Sequence, residues 1–307
     1  MAVTLPFARE FDFDYGVARE VAPGVRRIVA NNPSPFTFKG TNSYLIGSGA
    51  VALIDPGPDD AAHREAILGE VAAKGERISH IFLTHTHKDH SAGLAAVAEA
   101  TGAPVYGYGS DPQQRAAFQA NPASEAILDV RFEPDHVLRG GEVISGGGWA
   151  LEAVYTPGHA PDHLAFALAG TNILFSGDHV MGWNTSVVAP PEGNMADYIR
   201  SLELLLKRGE DIYFPGHGGQ VDQAQRLVKA FIMHRRWRET QVLECVRAGL
   251  ETIPAIVAKI YPEISASLRD AAAYSALAQI ELLVETGQVR CEPGPTPTLE
   301  SRYLPAQ

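Results

Sequence analysis

Short apolar runs punctuated by glycine, proline and asparagine fill the first two thirds of the chain. Val25 to Ala30, Ser43 to Ile46, Val51 to Ile54 and Ile78 to Leu83 read as strands, and Val105 to Tyr108 as a further short one. Leu151 to Thr156, His163 to Leu168 and Asn172 to Phe175 form a second strand-rich run, turned by Ala169-Gly170-Thr171. The spacing predicts a helix over 59–73. It predicts another over 195–208, where Met195, Ile199, Leu202, Leu205 and Leu206 share one face. Two groups of strands, each accompanied by helices, fit a four-layer sandwich better than a doubly wound sheet.

The pattern then changes to helix. Residues 222–247 carry a long helical pattern, 253–261 a short one opening near Pro254, and 266–285 a third stopped by Gly287. Residues 288–291 read as a wing strand. The proline-rich stretch 293–297 is expected to be poorly ordered. These features divide the chain into a strand-rich α/β unit over 1–222 and a helical, winged-helix-like unit over 223–307.

The chain has 307 residues, 45% of them hydrophobic, enough to bury a full core. No apolar run is long enough to span a membrane, and the first residues carry no secretory pattern. Two cysteines, Cys245 and Cys291, make no disulfide framework, so a reducing cytoplasm is expected. A net charge of -11 argues against a general polyanion binder. The charge is uneven: residues 223–307 carry ten Lys/Arg against nine Asp/Glu, and residues 1–222 fifteen against twenty-seven. Arg226, Lys229, Arg235, Arg236 and Arg238 are expected to form a solvated helix face.

The candidate chemistry concentrates in Thr84-His85-Thr86-His87-Lys88-Asp89-His90. Histidine and aspartate are ligands of borderline divalent metals. A strand alternates its side chains and cannot aim all of these at one point, whereas a loop leaving a strand can. Ser91 reads as the N-cap of the helix that follows. Three later segments each place a candidate ligand beside a glycine after an apolar run: Gly158 before His159, Gly177 before Asp178 and Gly216 before His217. Seven ligands exceed one tetrahedral zinc and favour two metals with Asp178 between them.

The order His-x-His-x-Asp-His, then a distant His, Asp and His, resembles the metallo-β-lactamase superfamily, over roughly residues 20 to 220. The resemblance implies an αββα sandwich with metals at one edge. His85, His87 and His159 would hold the first metal, Asp89, His90 and His217 the second, and Asp178 would bridge. Asn32-Pro33, the stretch Lys39 to Gly47, Thr156 to His163 and His234 to Glu239 resemble the β-lactamase-like protein 2 group. That group implies a C-terminal winged-helix-like domain, and includes an animal endoribonuclease acting on single-stranded RNA. His179 and Trp183 depart from its pattern.

The expected function is a dinuclear metallohydrolase, zinc being favoured and iron or manganese the alternatives. Two ions about 3.5–4 Å apart share a hydroxide that attacks an ester, a thioester or a related small substrate. Asp89 would orient that hydroxide and accept its proton. A single-stranded RNA endonuclease is the alternative substrate reading, and a metal-binding regulatory or nucleic-acid-binding scaffold the non-enzymatic one. Glyoxalase-II-type thioester hydrolysis shares this ligand set, but its glutathione-binding cations find no match here. His163 is a candidate to support the metal ligands by donating a hydrogen bond. His179 is a candidate to face the metal pocket, and Trp183 to line it. His63, His80 and His136 are expected to be structural or exposed.

Overall fold

Alternation along the strands sorts the side chains into layers. In β3 (Asn42–Ile46), Tyr44 and Ile46 face a second sheet while Leu45 faces helices. In β4 (Ala50–Ile54), Ala52 and Ile54 join the inter-sheet core, and Val51 and Leu53 join the outer one. Both faces are covered, which is why these strands read as continuous apolar runs. The computed structural model describes residues 5–109 and 127–306, with 116, 118, 119 and 124 between them.

The first sheet runs β1 (Arg19–Ala22), β2 (Val25–Val29), β3, β4, β5 (Arg77–Phe82), β6 (Val105–Gly107), β7 (His136–Val137) in that spatial order. The second runs β13 (Val221–Asp222), β12 (Ile212–Pro215), β11 (Ile173–Gly177), β10 (Leu164–Leu168), β9 (Ala150–Tyr155), β8 (Val143–Ser145). Between the sheets lie Tyr44, Ile54, Phe82, Leu151, Phe166, Phe175 and Phe214. Helix α1 (Ala61–Ala73), capped by the Asp60 side chain, covers the outside of the first sheet together with α3 (Leu94–Thr101). Helices α4 (Met195–Leu206) and α5 (Ala224–Arg247) cover the outside of the second. The four-layer αββα expectation is met.

Strands β4 and β5 pair in parallel, as do β11 and β12. Their C-terminal ends point to one edge, and the loops that leave them carry the candidate ligands.

Helix α5 belongs to two cores. Ala224, Leu227, Val228 and Phe231 pack on the second sheet, and Val242, Leu243, Cys245 and Val246 on the C-terminal unit. That unit adds α6 (Ile253–Ile260), α7 (Arg269–Glu285) and the hairpin β14 (Val289–Glu292)–β15 (Arg302–Pro305). Both cysteines are buried and free. Among the described residues, no helix is long and apolar enough to cross a membrane.

Three expectations are corrected. Ser91 is not an N-cap: it closes the one-turn helix α2 (Lys88–Ser91), and its hydroxyl donates to the carbonyls of Thr86 and His87. The proline-rich stretch is the connection inside the last hairpin, where the Cys291 thiol donates to the Gly294 carbonyl (2.9 Å) and Thr298 pairs with Ser301. Arg235 does not lie on a solvated face. It is 4% exposed, because its guanidinium covers the Tyr198 ring and donates to the Ser186 carbonyl (2.5 Å).

Candidate metal centre

The His85–His90 segment leaves β5 and turns through α2, so side chains four and five positions apart converge. His85 and His87 place ring nitrogens 2.8 Å apart, and His159, after β9, brings its Nε2 to 3.0 Å from the same His87 nitrogen. His90 Nε2 lies 3.4 Å from His217 Nε2 and 3.4 Å from an Asp89 oxygen, and that oxygen is 3.2 Å from His217 Nε2. Asp178, at the end of β11, spans the two groups. Its oxygens reach His159 Nε2 at 3.7 Å, His217 Nε2 at 3.2 Å and His90 Nε2 at 3.5 Å. All seven ligand candidates are therefore brought together, as three overlapping groups whose geometry could hold a metal ion.

The donor set fits metal ions. Ligand nitrogens on a tetrahedral zinc lie ~3.3 Å apart, given Zn–N bonds of about 2.0–2.1 Å. Among the described residues, Asp178 Oδ1 is buried with no hydrogen-bond donor, an expensive state for a carboxylate unless a cation meets it. Glycine is required beside it: a Cβ at Gly216 would stand 2.4 Å from Asp178 Oδ1 and 2.6 Å from the His90 ring. His87 and Asp89 are only half-buried, so the centre opens to solvent on their side.

Electrostatics divide the two groups. Burial and the neighbouring histidines hold His85 well below the ordinary imidazole pKa, burial and His159 push His87 to about 3, and burial lowers His159. Their rings are neutral, with free lone pairs. Burial also opposes charge on His90 and His217, but the carboxylates outweigh it. Asp89, Asp178 and Asp55 raise His90 well above its usual value, and Asp178 and Asp89 bring His217 to about 9. Against the cost of burial, the same histidines hold Asp89 and Asp178 below the carboxylate range.

A supporting layer fixes the rings. Asp55 accepts from the Thr84 amide and hydroxyl, both at 2.8 Å, and lies 2.8 Å from His90 Nδ1. The His217 Nδ1–H donates to the Gly40 carbonyl at 3.1 Å, and the His159 Nδ1–H to the Val187 carbonyl at 2.6 Å. Thr41 donates to Asp89 Oδ2 at 3.1 Å, and Asn32 grips Thr41 through both ends of its amide. Such contacts set tautomer and ring orientation. Asp55, Thr41 and Asn32 were not singled out for these roles from sequence. Asp55 carries a legible signal: like Asp178 it directly follows an apolar strand, with Gly57 two residues on, and its φ of 53° marks a specialised backbone.

His163 does touch this layer, but with the reverse sense of hydrogen bonding. Its Nε2 accepts from the Asp178 amide at 3.1 Å, while its Nδ1–H donates to Thr156 at 2.8 Å. His179 is fully buried beside the Tyr198 ring, and neither ring nitrogen has a hydrogen-bond partner among the described residues. Trp183 stacks on Phe38, ring centroids 4.7 Å apart. His63 is buried against Ser43, His80 packs among aromatic rings, and His136 stacks on Tyr106.

The family model of the metallo-β-lactamase superfamily matches residues 36–217, the segment that carries every candidate ligand. The chain belongs to this superfamily. A β-lactamase-associated winged-helix model matches residues 252–294. The protein is thus an enzyme of the metallo-β-lactamase fold with a C-terminal winged helix. A β-lactamase-like protein 2 homologue of Drosophila melanogaster is 32% identical over 275 residues, covering 87% of this chain and 89% of that one. An atrochrysone carboxyl ACP thioesterase of Aspergillus fumigatus is 33% identical over 229 residues, covering 73% of this chain and 65% of that one. The crystal structure of a metallo-β-lactamase family protein from Thermus thermophilus superposes with a TM-score of 0.74 at 25% identity, covering 93% of this chain and all of that one.

Proposed function

We propose that the protein is a dinuclear metallohydrolase acting on thioesters or related small acyl substrates. The observation that carries this reading is the position of Asp178, whose carboxylate lies within 3.7 Å of His159 on one side and 3.2 Å of His217 on the other. His85, His87 and His159 would hold one ion, Asp89, His90 and His217 the other, and Asp178 both. Two divalent ions held there, zinc by the histidine-rich donor set, would supply an activated water and Lewis acidity toward the acyl oxygen.

The chain's own groups do the rest. Thr41 and Asn32 fix Asp89 on the solvent-open side, where its carboxylate orients the incoming water and takes up its proton. Asp55 keeps the His90 ring turned toward the centre. The thioesterase relative supports an acyl substrate. Single-stranded RNA is less well supported by α5. Arg235 is buried, Arg238 lies over the Trp237 and Tyr261 rings, and Arg236 is paired with Glu239. The 1–222 and 223–307 units would act together, since α5 is shared.

Elemental analysis of the metal-loaded protein, combined with a panel of thioester, lactone, phosphodiester and RNA substrates, tests the reading. Two ions per chain and thioester turnover are expected. Asp89→Asn and His159→Ala should each lower turnover at least about 10²-fold, the scale of losing a positioned acid–base or ligand group. One ion per chain, RNA cleavage without thioester turnover, or near-normal rates in both variants would overturn it.

A further inference from the structure

The N-terminal segment and the loop before β3 enclose an aromatic cleft of ≈ 440 Å³. Phe11, Phe13 and Phe38 wall it, and Arg9, Glu10 and Lys39 stand at its rim. Phe38 stacks on Trp183 with the planes 8° from parallel. Phe11 stacks on Phe13 at 4.6 Å and lies 6.2 Å from Phe38. The cleft is tied to the catalytic edge at two points. Gly40, two residues after Phe38, gives its carbonyl to His217, and Gly218, the residue after His217, lies against the Trp183 ring.

Two features are unusual for a merely structural cluster. Phe38 holds a left-handed backbone, φ 58°, which bulky residues rarely adopt without a compensating role for the side chain. The Trp183 indole N–H is buried yet has no hydrogen-bond acceptor among the described residues. No ion pair involves Arg9 or Lys39 among those residues, so with Glu10 the rim carries a net positive charge in an otherwise acidic protein. Lys39 sits 5.5 Å over the Phe38 ring, placing its charge at the mouth of the stack.

We propose that this cleft binds the acyl part of the substrate, and that the acyl part is a flat aromatic group bearing a carboxylate or other acidic group. The rings offer stacking partners, and Lys39 and Arg9 pair with the acid. This rests on the acyl-hydrolase reading above and narrows it to a substrate class.

The test uses the full-length, metal-loaded enzyme and N-acetylcysteamine thioesters of octanoic, 2-naphthoic and 6-carboxy-2-naphthoic acids, with released thiol as the readout. The expected kcat/KM order is carboxynaphthoyl over naphthoyl over octanoyl, each step about fivefold, the worth of one stacking or charge contact. Phe38→Ala and Trp183→Leu should erase the naphthoyl-to-octanoyl ratio. Lys39→Gln with Arg9→Gln should erase only the carboxynaphthoyl-to-naphthoyl ratio. Phe38→Gly suits the left-handed backbone and keeps the test open if Phe38→Ala does not fold. Thioester turnover with no aromatic preference, or a preference unchanged in the variants, overturns the cleft while leaving the acyl-hydrolase reading intact. If no thioester is turned over, that reading fails, and the cleft is judged by calorimetric binding of naphthalene-2,6-dicarboxylate. Binding lost in Phe38→Gly supports the cleft, and no binding, or binding unchanged in Phe38→Gly, overturns it.

Discussion

Arg235 donates to the Ser186 carbonyl at 2.5 Å, and the next carbonyl, that of Val187, accepts the Nδ1–H of the metal-ligand candidate His159 at 2.6 Å. A residue of the shared helix α5 thus holds the turn that orients the catalytic edge. The same guanidinium covers Tyr198, whose hydroxyl donates to the His179 carbonyl beside Asp178. Arg235→Gln loses the charge and the fork that spans these contacts. Its affinity for the ion held by His85, His87 and His159 should fall about tenfold, the lower end for losing an outer partner of a ligand. The ion held by Asp89, His90 and His217 should be little changed. Arg235→Lys should recover part of the loss. Stepwise cobalt titration followed by absorption separates the two sites, and equal weakening of both would remove the positioning role.

Gly216 tests the packing on the other side. Its Cβ position falls 2.4 Å from Asp178 Oδ1 and 2.6 Å from His90, distances no side chain tolerates. Gly216→Ala should push Asp178 from its place between the two groups. Metal content should drop below two ions per chain, and turnover should fall at least about 10²-fold, as for an ångström-scale misplacement. The fold should survive, since the clash is with side chains at the edge and not with the inter-sheet core. Full metal content and normal turnover would contradict the geometry.

Much of this architecture was legible because its signals are local. The apolar runs of β3, β4, β5, β9, β10 and β11 are bounded by turn residues, and the ligands follow strand ends beside glycines. What escaped was non-local. Strands β7 and β8 are short and partly exposed, with little apolar pattern to mark them, and β15 forms only by pairing back onto β14. Ser91 looked like a cap because the one-turn helix α2 has too few residues for a periodic signal. Arg235 looked solvated because charge along a helix says nothing about which neighbour covers it. The support given by Asp55, Thr41 and Asn32 joins residues far apart in the chain, and composition alone does not pair them.

Asp162 gives a stability prediction. Its side chain is buried and accepts from the Thr86 amide at 3.1 Å, and its other oxygen has no partner among the described residues. Burial pushes its pKa up to about 6. A carboxyl raised in the folded state stabilises fully only below its unfolded pKa, near 4, and that contribution is lost as pH rises through about 6. Asp162→Asn keeps the acceptor without the charge. At pH 7.5 the variant should be more stable than the parent by on the order of 2 kcal/mol, and at pH 4 the two should converge. Urea unfolding of the metal-free proteins at both pH values measures this, and a variant less stable at pH 7.5 would assign Asp162 a required negative charge.

Metal uptake should itself depend on pH, and differently at the two groups. In the metal-free chain His90 and His217 have raised pKa values, His217 at about 9, so both rings carry protons at neutral pH. A ring must be neutral to bind a metal, so loading this group expels protons, and its affinity rises as pH climbs toward 9. Two competing protons allow up to about a hundredfold gain per pH unit. His85, His87 and His159 are lowered, His87 to about 3, and are already neutral. Loading that group should release almost none and stay nearly flat between pH 6 and 8. The raised histidines also stabilise the metal-free fold below the unfolded imidazole pKa of about 6.5, and that stability drains away as pH rises through about 9. Bound metal should remove this dependence, because it replaces the protons as the counter-charge to Asp89 and Asp178. Zinc calorimetry in buffers of different ionisation enthalpy counts the protons at each step. Close to two protons on one step and none on the other is the expected result. Equal release at both steps, or none at either, would refute the assignment of opposite electrostatics to the two halves of the centre.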